Sequence, residues 1–362
     1  MGKSTSRVSE LIVCLVLFEI GSTTLYMMGS EAKQDAWLAM LIGALVGLVL
    51  LSLHLAIHRQ DPSLDLFMLF RRYMGKYLGT FMNLLFVGYF TYETSRNLRD
   101  LGELTVMTLL NQTSIWIILL ITIMVISNSV RYGPGVIFLT CMILFPIIAL
   151  GYAIISILIP ATGLLHLEFM QPILENGLQP VLKAAIPDIV SFPFGQTVLF
   201  LVFYPLATKG RNLSRGVIIG YCAVALFLTG FNQLNIFVLG PTLAANLTLP
   251  LLTTVQLIEL PEVFERMDPL FTLLLFLGLG IKMSAFFSGA VTGLERITGI
   301  SYKKWIIPLA ALIYGLSFIS PNYTHHIEIG RGVAVKYWWP VFQFGLPLLL
   351  FIVILIRKRK KV

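Results

Sequence analysis

Charged side chains are scarce in this sequence. Asp, Glu, Lys and Arg make up 12% of its 362 residues, whereas hydrophobic residues make up 57%. A soluble globular protein usually carries about 25% charged residues, because its surface faces water. With a mean hydropathy of +0.86, the composition therefore excludes a soluble protein. It indicates a helical protein that crosses a membrane several times.

Motifs that carry enzyme or metal chemistry are also lacking. Cys14, Cys141 and Cys222 lie in apolar runs, with neither metal-ligand spacing nor a disulfide framework. The sequence has no phosphate-binding glycine loop and no nucleophile elbow. His325-His326-Ile327-Glu328 superficially suggests a metal or acid–base site, but we expect it to lie in an outer loop, and no further ligand follows at a known spacing. We therefore expect no enzyme activity, no metal and no cofactor.

Long apolar runs are present instead. A helix that crosses a membrane needs about 20 apolar residues, and the chain contains ten candidate spans of about this length. The first is expected to be retained, because no small-residue cleavage site follows it. The spans lie at approximately 11–28, 37–57, 79–101, 114–128, 136–159, 184–207, 216–239, 269–291, 305–320 and 338–356.

Basic residues orient these spans. Lys and Arg outnumber Asp and Glu, 26 to 18, which gives a net charge of +8. In a membrane protein this excess favours cytoplasmic loops that face anionic lipid rather than binding of nucleic acid. If the N-terminus is inside, most Lys and Arg residues, including the tail 357–361, also lie inside. Ten spans then place both termini inside, and the five Trp residues fall at helix starts, as an interfacial belt predicts.

Three connections are more than simple loops. The inner segment 62–77 combines apolar and charged residues and predicts an amphipathic helix, on the membrane surface or under the bundle. The outer segment 247–267 is apolar and ends in Glu259, Glu262 and Glu265, which favours a re-entrant or capping segment. The outer segment 162–183 is similar, and we expect it to cover the outer face.

Two spans contain residues that interrupt an α-helix. The sixth contains Ser191-Phe192-Pro193-Phe194-Gly195-Gln196, in which proline lacks an N–H and glycine lacks a Cβ. The first contains Glu19-Ile20-Gly21-Ser22-Thr23-Thr24, with four poor helix formers in succession. Freed backbone groups are costly in lipid, so broken helices are tolerated where they line a cavity or bind a ligand. The alternatives are a simple proline kink in the sixth span and a small-residue packing face in the first.

The two interruptions occupy matching positions. The first and sixth of ten helices correspond if the chain consists of two five-helix halves, 1–159 and 184–356. Paired interruptions in corresponding helices are the best sequence indication of a transporter-type binding site near the membrane midplane. We therefore predict an all-α integral membrane fold with ten transmembrane helices in a 5+5 inverted repeat. The single permease-like domain spans 1–362, and its half-helix ends suit a carboxylate.

With both interruptions in view, the chain resembles the amino acid–polyamine–organocation transporter superfamily. More closely, it resembles the endospore germination permease branch, the B subunit of spore germinant receptors. The residues that carry the resemblance are Glu19-Ile20-Gly21-Ser22 and Phe192-Pro193-Phe194-Gly195-Gln196. It implies a multi-pass protein of the spore inner membrane that binds a small germinant, often an amino acid, and works with an A subunit and a lipoprotein C subunit. An amino acid or cation permease that uses the same site is the alternative, and a structural membrane anchor is a third.

The resemblance also implies where the site lies. In the superfamily fold, the first, third, sixth and eighth helices surround the ligand. We expect the ligand-binding residues to be Gly21, Ser22, Thr23, Tyr89, Tyr92, Phe192, Phe194, Gly195 and Gln196.

Among the ionisable residues within predicted spans, Glu19, Lys282 and Glu93 stand out. Each costs at least about 2.5–3.5 kcal/mol at mid-membrane, so each requires a partner. In the superfamily, a sodium ion, where present, bridges the first and eighth helices, and we expect Lys282 to replace it as a fixed ammonium paired with Glu19. The alternative is a snorkelling or purely structural pair. Glu93 is either a site residue or is neutralised by Arg96, three residues later.

Overall fold

The computed structural model describes residues 6–207, 212–258 and 267–359. Within these ranges the chain is helical, and its extended backbone pairs only in an isolated bridge between Ser6 and Ala207. The α-helices are α1 (Val8–Ile20), α2 (Ala36–Gln60), α3 (Leu66–Met74), α4 (Lys76–Thr108), α5 (Ile115–Val130), α6 (Pro134–Ala161), α7 (Leu178–Ala184), α8 (Leu213–Leu239), α9 (Pro241–Asn246), α10 (Pro250–Gln256), α11 (Asp268–Thr298), α12 (Tyr302–Leu316), α13 (Tyr323–Glu328) and α14 (Leu346–Arg359).

Helices long enough to cross a membrane confirm a multi-pass membrane protein. In the described chain, seven helical segments are both long and apolar enough. The helix α5 is apolar but shorter, at 16 residues, whereas α4 has 33 residues and carries charges in its second half. With α12, these helices overlap the ten predicted spans, although only the seven segments of the described chain meet both the length and the hydropathy criteria. The seven segments are Val8–Leu25, Ser30–Gln60, Pro134–Ala161, Leu178–Val202, Leu213–Leu239, Pro269–Thr298 and Tyr323–Arg359.

The first span breaks where the sequence predicted. The helix α1 ends at Ile20, Gly21 leaves helical geometry (φ −17°, ψ −88°), and a short 3-10 turn follows at Thr23–Leu25. The Thr23 hydroxyl donates to the Glu19 carbonyl oxygen at 2.5 Å, which satisfies one backbone acceptor released by the break. A side chain is excluded at Gly21, because a Cβ there would lie 3.0 Å from the Gly278 carbonyl oxygen in α11.

The sixth span is also not a continuous α-helix. A π-helical turn at Ala185–Ile189 follows α7, and a 3-10 helix then runs over Phe194–Val202. Pro193 precedes this 3-10 helix and its carbonyl accepts from the Gln196 N–H at 3.0 Å. The break therefore lies at the Ser191–Pro193 step, as predicted.

The last span differs from the prediction. It begins at Tyr323 and continues to Arg359 as one helical segment of 37 residues, whereas 338–356 was expected. Residues 325–328 therefore lie in a helix, and their assignment to an outer loop was wrong. The helix starts early because the Asn322 side chain accepts from the His325 N–H at 2.9 Å, as an N-cap does. Trp339 accordingly lies inside the bundle, 4% exposed, rather than in an interfacial belt.

The predicted amphipathic helix is α3, and it packs under the bundle against α4, α11 and α14. Its N-cap residue Asp65 accepts from the Met68 N–H at 2.9 Å and forms a 2.8 Å ion pair with Arg296 of α11. Burial raises the pKa of the Asp65 carboxyl, and the Arg296 guanidinium opposes that rise. The exposed side of the helix carries Arg71 and Arg72.

The two outer connections fold over the helix ends. In the segment 162–183, the Leu174 N–H donates to both carboxylate oxygens of Asp35 at 3.0 and 3.1 Å, and Gln34 donates to Glu175 at 2.9 Å. In the segment 247–267, α10 is mostly buried and packs against α8 and α11, which agrees with a capping segment. Glu259, Glu262 and Glu265 lie outside the described residues.

Candidate functional site

A cavity of about 550 Å³ extends from one end of the bundle to the two helix breaks. Its mouth carries the exposed residues Glu31, Glu328, Arg331 and Lys336. Glu31 follows the first span, and the other three lie in the first part of the last helical segment, so the cavity opens at the end of the bundle that the basic residues predict to be outside. Its inner end is lined by buried side chains, which makes it a recess rather than a surface groove.

Both breaks contribute to the inner end of this cavity. Ser22 comes from the break in the first span, and Phe192 and Gln196 come from the break in the sixth. Glu93 and Asn97 from α4 and Trp339 from the last span complete this surface, which we call the cavity floor. These six side chains are at most 9% exposed.

Polar groups of the floor are joined across helices. Gln196 donates from Nε2 to Oε2 of Glu93 at 2.9 Å, which links the broken sixth span to α4. One helical turn further, Asn97 donates from Nδ2 to the Glu93 backbone oxygen at 2.7 Å, and it also lines the cavity. Arg96 instead donates to the His326 backbone oxygen at 2.9 Å. Within the described residues, no ion pair of 4.0 Å or less joins Arg96 to Glu93, so the neutralisation considered above does not occur through direct contact.

The other six predicted ligand-binding residues do not line this cavity. Tyr89 accepts from Nε2 of Gln343 at 2.9 Å, and a Cβ on Gly195 would overlap the Gln343 side chain. Tyr92 packs edge-on against Trp338, and Phe194 packs on Tyr221. Gly21 and Thr23 hold the first break, through the Gly278 and Glu19 contacts described above.

Glu19 and Lys282 are both completely buried. No hydrogen bond to another described residue reaches the Glu19 carboxylate or the Lys282 ammonium, and no ion pair within 4.0 Å joins them. The Lys282 ammonium lies instead 5.1 Å from the Phe18 ring centre and 4.7 Å from the Phe192 ring centre. Phe192 therefore lies between the cavity and Lys282. The functional pairing of Glu19 with Lys282 stays a prediction.

A polar network near the mouth was missed from the sequence. His326 contacts Asp100 at 3.1 Å, and both side chains are 6% exposed, while the Tyr26 and Tyr323 hydroxyls are 3.2 Å apart. Asp100 and Tyr26 line the cavity. The available signal was the pair Arg96 and Asp100, opposite charges four residues apart within a predicted span. His326 carried no such signal, because its residues were assigned to a loop.

The comparisons with known proteins all find similarity to spore germination proteins, over most or all of the chain. A family model described as "Spore germination protein" matches residues 7–325. The chain is 31% identical to spore germination protein KB of Bacillus subtilis (strain 168), over 100% of this chain and 97% of that protein. It is 24% identical to spore germination protein YndE of the same strain, over 99% and 98%. It is 25% identical to spore germination protein XB of Bacillus anthracis, over 75% and 76%.

Proposed function

The chain belongs to the spore germination protein family, and we propose that it is the germinant-sensing membrane subunit of a spore germinant receptor. The cavity receives a small germinant from the outer side of the spore inner membrane. Binding alters the packing of the two broken helices, and partner subunits respond to that change. The resemblance to receptor B subunits supports an A subunit and a lipoprotein C subunit as these partners.

The observation that carries this proposal is the composition of the cavity floor. Ser22 comes from one break, and Phe192 and Gln196 come from the other. A ligand on this floor contacts both interrupted helices at once, so its binding free energy depends on how the two are arranged. Differential affinity for two arrangements is what allows a ligand to shift a conformational equilibrium.

The matched breaks also support a 5+5 inverted-repeat arrangement. The interruption in the first span follows α1 at Gly21, and the interruption in the sixth span lies after α7, near Ser191–Pro193. Each interrupted span is the first of its predicted half. Both interruptions contribute to one cavity, as a site at the interface of two repeats requires. Under this proposal the ligand lies between the halves 1–159 and 184–356.

The test uses spores that lack this chain, complemented with the unmutated gene or with a cavity variant. We expect deletion to abolish the response to at least one nutrient, measured as the fall in light scattering. Complementation should restore it, and the chain should co-purify with the A and C subunits. Normal responses to every nutrient after deletion contradict the proposal.

The alternative, an amino acid or cation permease, is tested on the purified chain alone. The chain is reconstituted in proteoliposomes with the nutrient that triggers the response. Uptake without partner subunits favours the permease, whereas binding without uptake favours the receptor. A variant that blocks uptake but leaves germination intact also separates the two functions.

A further inference from the structure

Three buried oxygen atoms of the cavity floor have no hydrogen-bond donor among the described residues. They are Oε1 of Glu93, Oε1 of Gln196 and Oδ1 of Asn97. The three residues line the same cavity and are 1%, 1% and 4% exposed. We propose that these oxygens bind the primary ammonium group of the ligand. This inference rests on the proposed function, because it specifies the ligand class of the same cavity.

The orientation of both amides follows from their other hydrogen bonds. Gln196 faces a carboxylate oxygen of Glu93 at 2.9 Å, so the contacting amide atom must be its NH₂ group. Asn97 faces the Glu93 backbone oxygen at 2.7 Å, and the same reasoning applies. An amide whose nitrogen is committed to an acceptor presents its oxygen on the other side. With the Glu93 carboxylate ionised, the three free atoms are therefore all acceptors.

A primary ammonium complements this arrangement. It carries three N–H donors, one positive charge and no acceptor, whereas the floor offers three acceptors, one of them on a carboxylate. Buried acceptors without donors are destabilising, so a ligand that supplies donors recovers that free energy on binding. An anionic group, or one with acceptors only, would be repelled by the same oxygens. A calcium ion needs six to eight oxygen ligands, which exceeds the three free oxygens.

Among the described residues, no cation forms an ion pair of 4.0 Å or less with the Glu93 carboxylate. Arg96 is engaged by the His326 backbone oxygen, and the Lys282 ammonium lies against the Phe192 ring. The ring centres of Phe192 and Trp339, which belong to the floor, are 5.8 Å apart. Aromatic faces attract cations as well as apolar groups, so they suit an ammonium and the carbon atoms next to it.

The experiment measures ligand binding to the purified full-length chain by thermal stabilisation. The probes are small L-amino acids, each paired with its methyl ester and its N-acetyl derivative, together with simple primary alkylamines. The ester keeps the ammonium and loses the carboxylate, whereas acetylation removes the ammonium. For each amino acid that binds, we expect the ester to bind too and the N-acetyl form to bind roughly ten- to hundredfold more weakly, as the loss of a charged hydrogen bond predicts.

Substitutions locate the effect within the cavity. Glu93→Gln keeps the shape of the side chain and removes its charge, so we expect it to weaken binding of the amine roughly ten- to hundredfold. The matched control is Glu168→Gln, a carboxylate in an outer connection that does not line the cavity, and it should leave binding unchanged. If Glu93→Gln does not accumulate, Gln196→Met removes one free acceptor and should weaken binding severalfold.

Four outcomes would overturn the proposal. The first three are equal binding of the N-acetyl and parent compounds, unchanged amine binding in both floor variants, and no stabilisation by any primary amine at millimolar concentration. The fourth is equal stabilisation by sodium or potassium chloride, which would identify a metal-ion site. Because binding is measured without germination, the result is independent of the deletion experiment above. Normal germination after deletion removes the proposed function even if the purified chain binds amines.

Discussion

Lys282 of α11 contacts the ring of Phe192, with its ammonium nitrogen 4.7 Å from the ring centre. Phe192 belongs to the break in the sixth span and lines the cavity, whereas Lys282 is completely buried behind it. The ring therefore separates a ligand in the cavity from a buried cation. A ligand that displaces this ring changes the surroundings of Lys282 directly.

The first prediction concerns Lys282 and Glu19. Lys282→Met keeps most of the side-chain volume between Phe18 and Phe192 but removes the charge, so we expect it to lower abundance and ligand response. If the two charges stabilise each other, combining it with Glu19→Gln should cause less damage than the sum of the single changes, by about 0.5–3 kcal/mol. The measurement is a double-mutant cycle on membrane abundance and response.

Sodium dependence provides the second arm of that experiment. A fixed ammonium in place of a coupling ion predicts that the unmutated protein responds equally well with and without sodium. Additive effects of the two substitutions would contradict an interaction between Glu19 and Lys282. A strict sodium requirement would contradict the hypothesis that Lys282 replaces the ion.

The second prediction concerns the close approach of Gly21 and Gly278. A Cβ on Gly278 would lie 3.0 Å from the Gly21 Cα atom, so Gly278→Ala should destabilise the protein by about 1–3 kcal/mol through overpacking. Gly230→Ala is the matched control, because a Cβ there meets no atom within 4 Å. The control should be neutral or slightly stabilising, since alanine favours a helix. Thermal unfolding of both purified variants tests this, and equal melting temperatures would contradict it.

The third prediction concerns the cavity itself. Ser22→Leu places an apolar side chain on the floor, and we expect it to abolish the ligand response at near-normal membrane abundance. Ser52→Leu introduces the same change at an exposed position of α2 and should keep the response. A normal response of Ser22→Leu at unchanged ligand sensitivity would show that the ligand binds elsewhere.

The fourth prediction distinguishes Gly195 from the cavity floor. From the sequence, Gly195→Leu is expected to fill the pocket while leaving abundance intact. In the structure, a Cβ on Gly195 would overlap the Gln343 side chain and lie 2.9 Å from the Val190 backbone oxygen. We therefore expect Gly195→Leu to lower abundance, which quantitative immunoblotting of membranes measures. Normal abundance with a lost response would instead support Gly195 as a ligand-binding residue, as predicted from the sequence.

The fifth prediction concerns topology. Single cysteines at Lys33 and Glu175 should react with an impermeant reagent from outside, because both positions are exposed and their segments are joined through Gln34. A cysteine at Arg72, on the exposed side of α3, should react only from inside. The same is expected near Lys209, which lies outside the described residues. Ready labelling of Arg72 from outside would overturn the orientation.

The sequence alone determined the class of protein and the positions of both breaks. Run lengths of apolar residues are set by the thickness of the membrane, so the ten predicted spans coincide with helical segments. Pro193, Gly195 and Gly21 act on their own backbone through a missing N–H or Cβ. Because such effects are local, they can be predicted from a single sequence. The short motifs at these breaks also identified the family.

Only the tertiary structure decided which side chains face the cavity. Helix rotation and packing place Gly195 against Gln343 and direct Glu93 toward Gln196, and no local pattern encodes either contact. The early start of the last helix brings Trp339 to the cavity and His326 to Asp100, although both seemed peripheral in the sequence. Lys282 lies against two aromatic rings rather than within 4.0 Å of the Glu19 carboxylate. Contacts between residues far apart in the chain depend on how whole helices pack, which is why the sequence indicated Ser22, Phe192 and Gln196 but not the place of Trp339 in the cavity.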